Sequence, residues 1–512
     1  MESSGPDTHT AGTSKFNQLR LIQGYPPGHE VSFYARVHEI LQRSDDDGNN
    51  VPILLLMREE AWFAKAAIDV AKVSDSARAA ARKCTAESIL HVVGRVIEPP
   101  PVPPARGSGE STLPTIQARG VEVLASAVDN LDTIPGHDVP GRNLDPGSPT
   151  ATFTTFHSLS LHERLNNRIM DVRVAANGAI FKLFSGMLGL ASQHCLGRGM
   201  HWIQTPSLIN YKIPTDDDYF SVEYPGGRPC WLSQTVELHH EMALSMDFQR
   251  VFEIKHMFRA EKDISPRRLS EFTGLEMTMV YENDWHEGMD EGEDMFIAVI
   301  RGLQASERYR DWIQMAKKLY SSAGDFKLGL DERGRLPRVN FVEAKQLLRE
   351  HEGTQTTDDN GDLTKKPSSE RCSIAVFPLA RDPTSPPSRP PTPSSSPTTR
   401  SARPPQTVPN DHNGPDAPAT DTSDLVARGR EVASFLHFTG SHERVRAALR
   451  DRGTGRDPDG AMWRPWVRAF EAGLLPHVNC AFGMNRVLQA FLGLGDVREA
   501  TLFPRDAARL AP

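Results

Sequence analysis

The stretch Phe258-Arg-Ala-Glu-Lys-Asp-Ile-Ser-Pro-Arg-Arg-Leu-Ser-Glu-Phe-Thr-Gly-Leu-Glu276 decides the reading of this chain. Two charged clusters, Arg259/Glu261 and Arg267/Arg268/Glu271, flank a loop that holds Asp263, Ser265 and Pro266. Apolar residues bracket it, with Val251, Phe252, Ile254, Met257 and Phe258 before and Phe272, Leu275, Met277 and Met279 after. Apolar runs on both sides of a polar, proline-containing loop predict two antiparallel strands. Arginines carried on strands, with acidic neighbours to orient them, suit a bidentate grip on a polyphosphate. The same spacing also describes a surface hairpin laced with ion pairs, which contribute little to stability.

The whole chain has 512 residues, room for two or three domains. A formal net charge of -8 excludes a generally basic nucleic-acid coat, so contact with RNA needs a local patch. Five cysteines lie far apart without a CxxC pair, which predicts neither a disulfide framework nor a zinc site. Met1 to Thr13 is polar, unlike a secretory signal, and no apolar run reaches membrane-spanning length. A soluble cytoplasmic protein with no membrane partner is expected.

Residues 1–28 read as a disordered or loosely helical lead-in. Within 29–135, strand patterns occur at Val31–Val37, Ile53–Met57, Ile89–Ile97 and Val121–Ala127, with an Ala-rich helix at Ala71–Cys84. Short strands with one interposed helix suit a small barrel such as an OB fold. Residues 136–160 read as a linker. From Leu161 to Gly197 a long helical pattern leads into Gly199-Met-His-Trp-Ile-Gln-Thr-Pro206. Residues 353–371 are polar and loop-like. Residues 382–419 are dominated by Pro, Ser and Thr and are expected to be a disordered insert. The chain closes with Phe482-Gly-Met-Asn-Arg-Val487 and Thr501-Leu-Phe-Pro-Arg-Asp506.

FRAE followed by an arginine and EFTGL resembles motif 2 of class II aminoacyl-tRNA synthetases, in the aspartyl-tRNA synthetase form. The long helix ending in Thr205-Pro206 resembles motif 1, and Gly483/Arg486 with the LFPRD tail resembles motif 3. Tyr34-Ala-Arg-Val37 resembles the family's N-terminal barrel. The resemblance implies an α+β chain: an OB-fold β-barrel, then over 161–512 a catalytic domain with an antiparallel sheet flanked by helices. It further implies ATP-dependent activation of an amino acid to an aminoacyl-adenylate, transfer to tRNA, and a homodimer through motif 1.

By resemblance, Arg259 holds the α-phosphate of ATP and Arg486 the γ-phosphate, as the catalytic arginines. Phe272 stacks on adenine, Glu261 meets its exocyclic amine, and Arg267 and Arg268 bind phosphate in the motif 2 loop. Mg2+ is implied at Asp424, Glu431 and Ser434, since magnesium takes carboxylate and phosphate oxygens. Those three also read as polar residues of an exposed helix.

Other positions depart from the family. Three successive glycines before motif 3 are replaced by Asn479, Cys480 and Ala481, where a Cβ on each is expected to crowd adenosine. The glutamate before the motif 3 arginine is Asn485. In the amino-acid pocket, Gln234, Glu237, Glu276 and Ser434 line positions facing substrate. There His240 replaces a lysine and Phe438 an arginine, so a buried aspartate carboxylate loses the cations it needs. The family's substrate-closing loop is Pro214-Thr-Asp-Asp-Asp-Tyr-Phe220 here. On the barrel, the base-stacking and base-reading positions are Leu54 and Lys65, with Trp62 and Phe63 as aromatic substitutes nearby. Three readings stand: an aspartate–tRNA ligase-like enzyme with an altered pocket, a catalytically impaired paralogue serving as a binding or regulatory module, and a generic single-stranded nucleic-acid binder.

Overall fold

The computed structural model describes residues 16–42, 52–60, 62–97, 113–128, 160–213, 219–339, 375–378, 422–451 and 457–511. The polar loop 353–371, the insert 382–419, most of the linker 136–160 and residues 214–218 lie outside the described residues. Two compact units divide the chain, residues 1–178 and 179–512.

In the first unit, β1 (Glu30–Gln42), β2 (Ile53–Glu59), β3 (Trp62–Ile68), β4 (Ile89–Ile97) and β5 (Thr115–Ala125) close a barrel in the order β1-β2-β3-β5-β4. Alternate residues point inward, so Val31, Phe33, Ala35 and Val37 of β1 meet Leu55, Met57, Leu90, Val92 and Ile116 in one core. The sequence pattern did not predict β3. Its Trp-Phe-Ala-Lys-Ala-Ala-Ile has weak strand propensity, and it is a strand because it pairs antiparallel with β2 and parallel with β5. The helix is shorter than expected, Asp75–Lys83, because the Ser74 side chain accepts from the Ala77 amide and caps it there. Glu87, at φ 68°, is buried under three arginines: Arg58 at 3.0 Å, Arg173 at 3.0 Å and Arg36 at 4.0 Å.

The long helical pattern after Ser160 is three helices, Leu161–Asn166, Arg168–Arg173 and Ala175–Gly197. Asn167 (φ -112°, ψ 39°) and Val174 (φ -64°, ψ 118°) leave helical geometry and break it. The buried Asp171 gathers the pieces by accepting from Arg164, Arg168 and Asn177.

The second unit is built on a seven-stranded sheet, β11-β12-β13-β14-β10-β9-β6. Its strands are β6 (His201–Trp202), β9 (Arg250–Phe258), β10 (Glu271–Val280), β11 (Ala375–Pro378), β12 (Thr422–Ala427), β13 (Arg430–Phe438) and β14 (His477–Gly483). A separate pair joins β7 (Leu208–Ile209) to β8 (Trp231–Leu232). The sheet is antiparallel except at β6, which pairs parallel with β9, so it is mixed rather than purely antiparallel.

One face of the sheet is apolar. Phe252, Leu275, Met277, Phe435, Cys480 and Phe482 are buried there. Helix His286–Ala305 comes close to this face at its glycines, for a Cβ on Gly288 would meet Val478 at 2.6 Å and one on Gly292 would meet Phe435 at 2.5 Å. No described helix is long and apolar enough to cross a membrane.

Candidate active site

Strand register decides which side chains share the other face. Glu253 of β9 lies opposite Glu276, and Lys255 opposite Gly274. Glu276 in turn faces Ala481, Thr278 faces Asn479, and Gly274 faces Gly483. Beyond β14, Ala481 pairs with Ser434 and His477 with Phe438, and Ser434 pairs with Asp424. Period-two alternation thus places Asp424, Ser434, Phe438, Asn479, Ala481, Glu276 and Phe272 on one surface. Cys480 points the other way, its thiol donating to the Gly288 carbonyl at 3.2 Å. Of the three expected crowding residues, only Asn479 and Ala481 therefore face the site.

The nucleotide-side residues converge. Arg486 lies in the first turn of the helix Met484–Leu492, which follows directly on Gly483, the last residue of β14. Ser265, Pro266, Arg267, Arg268, Arg430, Glu431, Arg486 and Gln489 line a cavity of about 350 Å³. Arg268 pairs with Glu261 at 2.8 Å, and the Arg259 guanidinium lies 5.7 Å from the centre of the Phe272 ring. Arg486 donates to the backbone carbonyls of Arg267 and Glu431 and lies 3.5 Å from the Glu431 carboxylate. Partial burial, with Arg259 and Arg268 nearby, lowers its pKa against the pull of Glu431. The loss of a glutamate at Asn485 therefore leaves Arg486 with an acidic neighbour, supplied by β13. Asn485 instead accepts from the Thr273 amide at 2.8 Å and donates to Thr501, tying the helix to β10.

Asp424, Glu431 and Ser434 are on a β-hairpin, which excludes the exposed-helix reading. Residues in sequence would put Glu431 and Ser434 on opposite faces of a regular strand. A bulge intervenes, because Leu425 pairs with Ala433 but the next residue, Val426, pairs with Glu431. The extra residue, Val432, restores Glu431 to the site face, where Ser434 Oγ lies 3.5 Å from its carboxylate. Two carboxylates and a hydroxyl in this arrangement fit a hard cation that also takes phosphate oxygens.

The residues expected to face the amino acid are joined by hydrogen bonds. Glu276 is buried and accepts from Thr235 Oγ1 (2.7 Å), the Val236 amide and Asn479 Nδ2 (3.1 Å). Burial raises its pKa while these hydrogen bonds oppose the rise. Thr278 Oγ1 donates to Asn479 Oδ1 at 3.0 Å and lies 2.8 Å from His240 Nδ1. A hydroxyl has one proton, so Nδ1 of His240 must be the donor and Nε2 keeps a bare lone pair. Burial, then His239 and Lys255, depress the His240 pKa to about 3, so the ring is neutral. Among the described residues its Nε2 has no hydrogen-bond partner, and neither has Glu237 Oε1. Burial, then Glu241 and Glu276, hold Glu237 well above the usual carboxylate range, which favours its protonated form. Gln234 is buried beside them. Phe438 is fully buried and packs on His477, ring centres 5.4 Å apart.

Sequence reasoning missed Lys255, Glu253 and Arg430. Lys255 donates to Thr205 O at 2.8 Å and lies 3.8 Å from Glu253, which itself accepts from Thr205. Burial lowers the Lys255 pKa, and Glu253 and Glu276 resist. Glu253 and Lys255 both lie on β9, and only its register with β10 brings them opposite Glu276 and Gly274. On the barrel, Trp62 packs against the core and Phe63 contacts His38, while Tyr34 is 46% exposed with Phe16 at its edge.

The family model of class II tRNA synthetases (D, K and N) matches residues 160–507. The chain is 30% identical over 360 residues to the cytoplasmic aspartate–tRNA ligase of Homo sapiens, covering 68% of this chain and 64% of that one. It is 26% identical over 492 residues to aspartate–tRNA ligase 1, cytoplasmic, of Arabidopsis thaliana, covering 95% and 84%. Among solved structures it is similar to the aspartyl-tRNA synthetase of Entamoeba histolytica (TM-score 0.71, 23% identity, 100% and 95% covered). A Pyrococcus horikoshii asparaginyl-tRNA synthetase complexed with asparaginyl-adenylate gives a TM-score of 0.71 at 20% identity, with 94% and 96% covered. The match spans 64% of the human relative's length, less than two-thirds of it. Motif 2 hairpin, motif 3 helix and the sheet between them thus stand within a matched region, and the chain belongs to the class II tRNA synthetases (D, K and N).

Proposed function

We propose that this protein binds ATP and activates an amino acid other than aspartate, forming an aminoacyl-adenylate for transfer to tRNA. The observation that carries the reading is the cavity lined by Arg267, Arg268, Arg430 and Arg486, with Glu431 on its wall and Ser434 Oγ 3.5 Å from that carboxylate. Charge on a reacting polyphosphate is stabilised by fixed cations of this kind. When bound, magnesium supplies further charge neutralisation, and Asp424, Glu431 and Ser434 are the residues that would hold it.

The side chain of the substrate is inferred from the neutral His240 and the apolar Phe438, where the resemblance implies cations. A buried carboxylate there would meet no cation at His240 or Phe438, and Lys255 is already matched by Glu253. Burying a charge unpaired is costly, so a neutral side chain is favoured over aspartate. ATP–pyrophosphate exchange across the twenty amino acids tests this. Exchange with a neutral amino acid and little with aspartate is expected, and exchange with none would overturn it.

One observation favours a second reading, a catalytically impaired paralogue acting as a binding or regulatory module. Asn479 occupies the Glu276 oxygen that would otherwise be open to a substrate ammonium. Calorimetric titration with aspartyl- and asparaginyl-adenylate analogues separates the readings, since tight binding of either counts against a dead site.

The domain reading is an OB-fold at 29–135, a linker at 136–160 and a catalytic domain at 161–512. The closed five-stranded barrel and exposed Tyr34 support a single-stranded RNA contact there, with tRNA as partner. Exposed Leu196 and Trp202, on the motif 1 helix and strand, support a homodimer. The names of the relatives support a cytoplasmic location.

A further inference from the structure

Arg430 has no counterpart in the roles assigned above, yet it reaches the same cavity as Arg486. The turn before it explains its place. Arg428 (φ 48°) and Gly429 (φ 69°) both take the left-handed backbone that a two-residue hairpin turn needs, so Arg430 is the first residue of β13. Arg428 is drawn aside, its guanidinium donating to Ser322 O at 3.1 Å and lying over Phe326.

Among the described residues Arg430 pairs with no carboxylate. Its Nη2 donates to the Leu494 carbonyl at 3.2 Å. Arg268 has Glu261 and Arg486 has Glu431, so Arg430 adds positive charge to the cavity without a matching acid. A polyanion bound in the cavity would meet this charge at the wall it shares with Arg267, Arg268 and Arg486.

We propose that Arg430 is a further phosphate-binding residue, gripping the terminal phosphates of the nucleotide and the pyrophosphate that leaves. The inference rests on the ATP reading above. The cavity lies with Arg267, Arg268 and Arg486, whereas Arg259 sits over Phe272 at the adenine side, so Arg430 belongs to the far end of the polyphosphate. In the activation step a substrate carboxylate oxygen bonds to the α-phosphorus. The bond from that phosphorus to the bridging oxygen breaks, and its electron pair leaves on pyrophosphate. Arg430 is placed where that negative charge gathers.

The test is calorimetric titration of the full chain and its Arg430→Gln and Arg430→Lys variants with Mg-ATP, Mg-pyrophosphate and AMP. Arg430→Gln is expected to weaken ATP and pyrophosphate about tenfold and leave AMP unchanged, as removing a charge-assisted hydrogen bond does. Arg430→Lys, which keeps the charge and is the milder change for folding, is expected to fall between. Unchanged ATP and pyrophosphate affinity, or equal loss of AMP, overturns the proposal while leaving the ATP reading intact. Failure of the unmodified protein to bind any of the three overturns both.

Discussion

Glu431 on β13 lies 3.5 Å from the guanidinium of Arg486, so a carboxylate of the proposed oxygen-donor set and an arginine of the proposed phosphate cradle share charge. A polyphosphate must compete with Glu431 for Arg486. Glu431→Gln is therefore expected to tighten metal-free ATP by about twofold to fivefold, the scale of a partly exposed ion pair, and to remove the gain from magnesium. Titrations with and without magnesium measure both, and weaker metal-free binding would contradict the competition.

Thr278 joins His240 to Asn479. Thr278→Val leaves His240 Nδ1–H and Asn479 Oδ1 buried without partners, at a cost of about 2 kcal/mol in urea unfolding. Nitrogen NMR of the unmodified protein is expected to find His240 protonated on Nδ1 and uncharged down to pH 4. A signal from the Nε2–H tautomer would refute the hydrogen-bond assignment.

Glu291 sits between His194, Arg198 and Arg250. Burial works to raise its pKa, but the hydrogen bonds from these three partners win and hold it at about 2. A folded pKa below the unfolded value means the carboxylate stabilises the fold fully above about pH 4.5. That stability is lost as pH falls toward 2, on the order of 3 kcal/mol in all. Glu291→Gln should flatten the unfolding free energy over this window, and an unchanged slope would count against the assignment.

Glu87 neutralises Arg58 and Arg173 inside the first unit. Removing one member of a buried ion cluster leaves the others uncompensated, so Glu87→Ala is expected to cost about 3 kcal/mol. Chemical denaturation of the full chain, followed by Trp62 fluorescence near the barrel core, reports the loss. A cost below about 0.5 kcal/mol would show the cluster to be solvated.

Much of the architecture was legible because it is written in local patterns. The motif 2 strands Arg250–Phe258 and Glu271–Val280 fall where apolar runs and the Ser265-Pro266 loop put them. β3 was not legible, since its alanines join the barrel only through β2 and β5. Nor was the orientation of Glu431, which depends on a bulge at Val432, or the acidic partner of Arg486, which comes from another strand.

Family was therefore determined by the sequence itself, through short motifs whose residues are close in the chain. Which charges meet was decided by tertiary structure alone. His240 and Thr278 are 38 positions apart, and Thr278 and Asn479 are 201 apart. Only strand register brings them within hydrogen-bond reach, and one hydroxyl proton then sets the tautomer of His240.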